Sequence, residues 1–386
     1  MSAYILIFVR RNPVRVLEID TRNRSQVRAF LDLPFKIYQG NSQWVPPLEM
    51  DAKAMLNRAH HPYYRESDAA FFMIYTDDGE ALGRIAMLDN KRHNRFNHSA
   101  IGLFYLFEVV ADFEAYSLLM ETAFTWARSK GLTEIIGPRG FTALNGMGML
   151  VRGFDHRPAL GIPYNHAYYP EFMERSGFTG IHDVVSGYFN RDLPLPEKVS
   201  LVAEKVQEKR GLVVQKYASR KDLKKMIPHL KNLYNGSLVG TEDVTPLTDE
   251  EVAEMAGQIL WFADPRLIKI LMKDDRPVGF LLAYPDISAA LQKTKGRLWP
   301  FGWVRLLREL KHTDWINVNG AGIIAEYRGM GGTAVLFNEM ANSVREGHYI
   351  HADLVQIGVE NDRMQQELST FGIDFYKMHR IYQRMI

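Results

Sequence analysis

The chain has 386 residues, enough for two domains that each bury a core, and its 46% hydrophobic and 24% charged content is that of an ordinary globular protein. Its 47 Lys and Arg against 45 Asp and Glu leave a formal charge of +2, without the basic footprint of a dedicated nucleic-acid binder. Cysteine is absent, which excludes disulfides, thiolate metal sites and a cysteine nucleophile and fits a reducing cytoplasm, and no apolar run approaches membrane-spanning length, so no membrane partner is expected.

At the start, Tyr4 to Val9 is apolar but precedes Arg10-Arg11, the reverse of a secretory signal. Val14 to Asp20 alternates as a strand, Ser25 to Tyr38 has apolar residues at helical spacing, and a short helix is predicted near Asp51 to Leu56. Ala69 to Tyr75 and Ala81 to Leu88 flank Asp77-Asp78-Gly79 and read as a hairpin. A strand from Ile101 to Val110 feeds a helix from Phe113 to Ser129, whose stripe of Tyr116, Leu119, Met120, Ala123, Phe124 and Ala127 faces a core. After Glu134-Ile135-Ile136 come a glycine-rich loop from Gly137 to Gly148, a helix from Tyr168 to Ser176 and a strand from Asp183 to Asn190.

The composition changes over Asp192 to Gly211, and the helical pattern from Pro196 to Lys209 reads as a linker helix within 192–210. Beyond it the same plan repeats. Gly211 to Tyr217 is a strand, Lys221 to Tyr234 and Thr248 to Leu260 are helices, and Leu267 to Met272 with Pro277 to Tyr284 form a second hairpin. Asp286 to Leu310 is an insertion, helical at both ends, whose Trp299, Phe301, Trp303 and Leu306 are expected by default to pack internally, with an exposed lid or a dimer contact as the alternative. Ile316 to Ile324 is a strand, and the next helix repeats the buried face with Leu336, Phe337, Met340, Ala341 and Val344. The chain therefore reads as an N-terminal unit at 1–191, a linker and a C-terminal unit at 211–386.

Between that strand and helix lies Ile323-Ile324-Ala325-Glu326-Tyr327-Arg328-Gly329-Met330-Gly331-Gly332-Thr333-Ala334. Three glycines let backbone approach a ligand, and the helix start offers unpaired N–H groups and the positive end of its dipole, a diphosphate site made of main chain. A Walker loop would need Lys-Ser or Lys-Thr after the last glycine, and none follows. Gly329-x-Gly331-x-x-Ala334 also fits a dinucleotide fingerprint, but too little chain follows for the remaining strands of a doubly wound domain.

Arg328-x-x-Gly331 after a strand resembles the cofactor loop of the GNAT superfamily, the acyl-CoA N-acyltransferases, and the following order agrees: a strand from Ala352 to Val359, Glu360-Asn361, a helix from Asp362 to Phe371 and a strand from Phe375 to Arg384. The resemblance implies an α/β fold of two tandem GNAT-like domains, each a mixed, mostly antiparallel sheet flanked by helices. In the first half the matching position reads Ala111-Asp112-Phe113-Glu114-Ala115, with two carboxylates where a diphosphate would sit, so only the second half is expected to bind acyl-CoA. The departure in the second-half loop is Thr333 at the final small-residue position, where its side chain either crowds the diphosphate or donates to it.

The resemblance further implies acetyl-CoA or another acyl-CoA as co-substrate, bound by Ile323, Ile324, Arg328, Gly329, Met330, Gly331, Gly332, Thr333 and Asn361, with no metal. It gives the oxyanion donor as the N–H of Ile323. The nearest acids in sequence, Glu326 and Glu360, are the candidate bases, each with a solvated surface role as its plain alternative. Leu368 falls where relatives carry a proton-donating Tyr, which leaves an unassisted thiolate, water or Tyr382 as donor, or binding without transfer. His348 and His351 lack the partners of a metal site. The expected activity is N-acyl transfer, most simply N-acetyl transfer, to a small-molecule or peptide amine by a cytoplasmic protein able to form a homodimer; the alternatives are a non-catalytic acyl-CoA sensor and a Fem-like aminoacyl transferase.

Overall fold

The computed structural model describes residues 14–142, 145–192, 196–240, 244–260, 262–360, 362–370 and 372–386. In the first half the strands are β1 (Val14–Glu18), β2 (Asp68–Thr76), β3 (Ala81–Asp89), β4 (Ile101–Val109), β5 (Glu134–Gly137), β6 (Met149–Arg152) and β7 (Thr179–Asn190). The helices among them are α1 (Arg24–Ile37), α2 (Glu49–Leu56), α3 (Lys91–Asn97), α4 (Phe113–Ser129) and α5 (Tyr168–Arg175), and α6 (Glu197–Arg210) follows. The second half has β8 (Leu212–Gln215), β9 (Ile268–Lys273), β10 (Arg276–Pro285), β11 (Trp315–Ile323), β12 (His351–Gly358) and β13 (Asp374–Met385). Its helices are α7 (Arg220–Leu223), α8 (Ile227–Ser237), α9 (Asp249–Leu260), α10 (Ser288–Thr294), α11 (Gly302–His312), α12 (Gly332–Glu346) and α13 (Asp362–Thr370).

The strands of the described residues all belong to one 13-stranded sheet in the order β1-β2-β3-β4-β5-β13-β7-β12-β11-β10-β9-β8, with β6 paired to β13 off this path. The pairings are antiparallel except β4 with β5 and β11 with β12. The two halves exchange their last strands: β13 pairs with β5 of the first half, β7 with β12 of the second, and β7 and β13 with each other. The sheet therefore runs unbroken past residue 191.

Helix α4 forms where its apolar stripe predicts, burying Tyr116, Leu119, Met120, Ala123, Phe124 and Ala127, and the left-handed Gly131 ends it. Its counterpart α12 buries Leu336, Met340, Ala341 and Val344 against the second-half sheet. Helix α6 does more than connect: Val199, Ala203 and Val206 are buried in that same core, packed against α12. The sidedness of these helices sets the sheet faces, and the strand ends between them form the site.

Candidate functional site

The two parallel strand pairs separate soon after they start. β11 pairs with β12 only from Trp315–His351 to Val318–Leu354, after which β11 continues along β10 to Ile323 while β12 follows β7 to Gly358. In the first half β4 leaves β5 after Leu103. Both diverging strands carry a register shift against their hairpin neighbour, marked by positive φ at Leu106 (47°) and at Gly320 (114°). The opened strand edges leave backbone groups free to meet a ligand.

At the end of β11 the chain makes a 3-10 turn over Ala325–Tyr327 and reaches α12 through Gly331, which caps the helix at φ 82° without any side-chain hydrogen bond. A Cβ on Gly331 would lie 2.6 Å from Val206 Cγ2 of α6, so glycine is required there by packing as well as by conformation. The contrast with the first half is direct: Asp112 turns its carboxylate onto the N–H groups of Glu114 and Ala115, both at 3.0 Å, and fills the place an anion would take. The Arg328 guanidinium donates to the carbonyls of Ile323 (3.2 Å) and Ser237 (2.8 Å), so it braces the turn and ties it to the end of α8.

Ser237 also lines a cavity of about 770 Å³ between the halves. Its walls include Tyr105–Glu108 of β4, Asn319–Ala321 of β11, the segment from Trp44 to Met55 and the loop from Leu160 to Asn165. The diverging stretches of β4 and β11 thus line one chamber, and Ser237 on its wall is the residue that Arg328 of the glycine turn holds.

A tandem GNAT protein from the clavulanic acid biosynthesis pathway, solved without acetyl-CoA, matches 97% of this chain and 98% of its own with TM-score 0.56 at 11% identity. This chain is a tandem GNAT-fold protein. Among curated proteins, YghO of Escherichia coli K12 is 25% identical over 374 residues, 94% of each chain. The bacterial ceramide synthase of Caulobacter vibrioides is 25% identical over 297 residues, 76% of each. No protein-family model matches.

The tandem GNAT sheet brings Ile323, Ile324, Arg328, Gly329, Met330, Gly331, Gly332 and Thr333 together at the β11–α12 connection, while Asn361 lies outside the described residues. Glu326 belongs to the same connection but is exposed and pairs with Arg276 at 3.2 Å. The remaining predicted residues sit elsewhere: Glu360 is exposed and pairs with His182 at 2.7 Å. Tyr382 lies in the first-half core opposite Gly137 of β5, its hydroxyl donating to Glu174 at 3.3 Å, because β13 belongs to that side of the sheet. Leu368 is buried in the second-half core and offers no hydroxyl. Trp299, Phe301 and Trp303 are exposed rather than packed inside, a correction to the sequence reading, and Leu306 alone of that group is buried.

Of the acids that do line the tandem GNAT cavity, Glu108 is the most fully buried. It accepts hydrogen bonds from Tyr38 (2.5 Å) and Tyr169 (3.0 Å), with Arg84 Nη2 3.9 Å from its other oxygen. Burial outweighs Arg84 and the two hydroxyls and raises its pKa to about 7. Asp51 and Glu254 also line the cavity with pKa values raised first by burial, so among the described residues three carboxylates face the space against the guanidinium of Arg84. The signal missed in the sequence is a pair of opposite charges inside apolar strands, Arg84 in Leu82–Leu88 and Glu108 in Leu103–Val110, which the β3–β4 register places opposite one another. In the second half the same register holds Phe280 and Gly322.

Proposed function

We propose that the protein is an N-acyltransferase whose second half holds acyl-CoA at the β11–α12 turn and whose cavity between the halves takes the amine. The observation that carries this is the pairing of an uncapped glycine turn with a strand opening into a chamber lined by Glu108, Asp51 and Glu254. Main-chain amides suit the diphosphate, and carboxylates lining a cleft favour a cationic amine. The apolar part of the wall, with Met55, Leu160, Ile162, Leu282 and Ile287, favours an amine on a hydrophobic body. The 25% identical ceramide synthase supports the same class, since a ceramide is a long-chain amine carrying an N-acyl group.

In the reaction the ammonium group gives one proton to the Glu108 carboxylate, the freed nitrogen attacks the thioester carbonyl, the C–S bond breaks, and the second proton lost from nitrogen as the amide forms passes, directly or through water, to the leaving thiolate. A carboxyl with a pKa of about 7 is well matched to this role near neutral pH. The N–H of Ile323 is the oxyanion donor that the family resemblance assigns.

Thr333→Glu tests the cofactor half of the reading. A carboxylate in the first turn of α12 stabilises the helix by about 0.5 kcal/mol but repels a diphosphate. Calorimetry with CoA should show binding to the wild type and none to the variant; equal binding would place CoA elsewhere. A second reading, a non-catalytic acyl-CoA sensor, draws on the buried Leu368 at the position where the resemblance implies a tyrosine. Free-thiol release with a panel of alkyl amines separates the two.

A further inference from the structure

The insertion between β10 and β11 presents Trp299 and Phe301, the two most exposed large hydrophobic side chains among the described residues, at 83% and 75%. Behind them α11 turns Leu306 inward against Ile287 and Leu291 and leaves Trp303, Val304 and Leu307 outward. On a helix Trp303, Leu307 and Lys311 form one row and Val304 and Arg308 the next, so the outer face is apolar in its first half and basic in its second. Between 293 and 312 the cations Lys293, Lys295, Arg297, Arg305, Arg308 and Lys311 face only one acid, Glu309, in a chain whose whole formal charge is +2. Arg297 is paired with Asp32 and Glu49; no ion pair of the other five is found among the described residues.

Exposed Trp and Phe beside Lys and Arg on an amphipathic helix match the chemistry of a bilayer surface, apolar just below a layer of phosphates. Charge decides between that occupant and a second copy of the chain: a two-fold contact through this face would set its cations against themselves. We propose that residues 293–312 dock on an anionic lipid bilayer, with Trp299, Phe301, Trp303, Val304 and Leu307 entering the headgroup layer and Arg305, Arg308 and Lys311 meeting its phosphates.

The docking element is fastened to the cavity wall. Glu49 N–H donates to Gly296 O at 3.0 Å, and Gln292 Nε2 donates to the carbonyls of Ser42 (2.8 Å) and Trp44 (3.0 Å). Trp44, Pro47 and the exposed Met50 of that segment line the cavity, so a docked bilayer lies beside the chamber and an amine carried in the membrane has a short way in. The sequence reading asked only for spanning length and expected no membrane partner; a protein that meets the bilayer from one side needs no such length.

Docking does not depend on acyl transfer, and its test contains no acyl-CoA. The whole chain is sedimented with phosphatidylcholine vesicles with and without phosphatidylglycerol. The anionic vesicles should bind at least about 100-fold more tightly, with the advantage shrinking as salt rises. Arg305→Gln/Arg308→Gln/Lys311→Gln should weaken that binding roughly 100-fold, about fivefold for each charge. Trp299→Ser/Phe301→Ser should lose about tenfold or more while keeping the wild-type melting curve. Equal pelleting with both vesicles, no pelleting, or an aromatic double variant that binds like the wild type overturns the proposal. So does gel filtration showing a wild-type dimer that these variants split, which would assign the face to a second copy.

Discussion

Replacing Glu108 by Gln removes a proton site while keeping nearly the same volume between Tyr38, Tyr169 and Arg84. In the folded chain the Glu108 carboxyl gives up its proton at about 7, against an ordinary value of 4.5. Between those values the unfolded chain has released the proton and the fold still holds it, so the fold binds more protons and stability falls as pH rises. The slope is about 1.4 kcal/mol per pH unit, ~3 kcal/mol over the window; the contribution is fully present below 4.5 and lost above about 7. Glu108→Gln has no such proton. Urea unfolding of both proteins at about pH 5 and about pH 8 should therefore show the variant's stability relative to wild type improving by ~3 kcal/mol towards the higher pH. The turnover of the wild type should rise through pH 7 as the base forms, and that limb should vanish in the variant. A stability difference that stays constant across this range would refute the assignment of Glu108 as the group that titrates there.

Lys377→Met leaves Asp353 buried without its cation, which the fold sets against it with both side chains nearly inaccessible. Chemical unfolding should show a loss of about 3–5 kcal/mol. Because burial already raises the Asp353 pKa, the loss should be larger at alkaline than at acid pH. Asp112→Ala removes the cap from Glu114 and Ala115 and should cost about 1 kcal/mol in a thermal or urea melt. Tyr382→Phe should leave the rate of thiol release unchanged, since its hydroxyl bonds Glu174 in the first-half core; a collapse in rate without loss of structure would restore it as the proton donor.

The sequence carried the order of elements well because most are long and strongly periodic. Helix α4 and the strand before it fall within a residue of where the stripe and the Gly131 stop place them. Helix α3 was not legible: Lys91–Asn97 is polar, and its hold on the fold comes from the Asn90 cap and the buried His93. Strand β6 has four residues and pairs with β13, more than two hundred positions away, so local pattern carries no trace of it. The partners of β7 and β13 were equally hidden. Each half supplies a final strand of similar character, and alternation fixes which face is buried but not which neighbour it joins. At the site, the glycine turn was readable as backbone chemistry, whereas Glu108 became visible only when register set it beside Arg84 and folding removed it from water.

The crossing of β7 and β13 also bears on how this chain can be made and divided. While the polypeptide is being synthesised, β5 waits with an open edge until Asp374–Met385 emerges, long after Asn190. A fragment cut in the linker would lack a central strand on either side of the cut and expose a long hydrogen-bonding edge. Expressed separately, the two pieces should be insoluble or find each other, and co-expression of both is the way to recover the intact sheet.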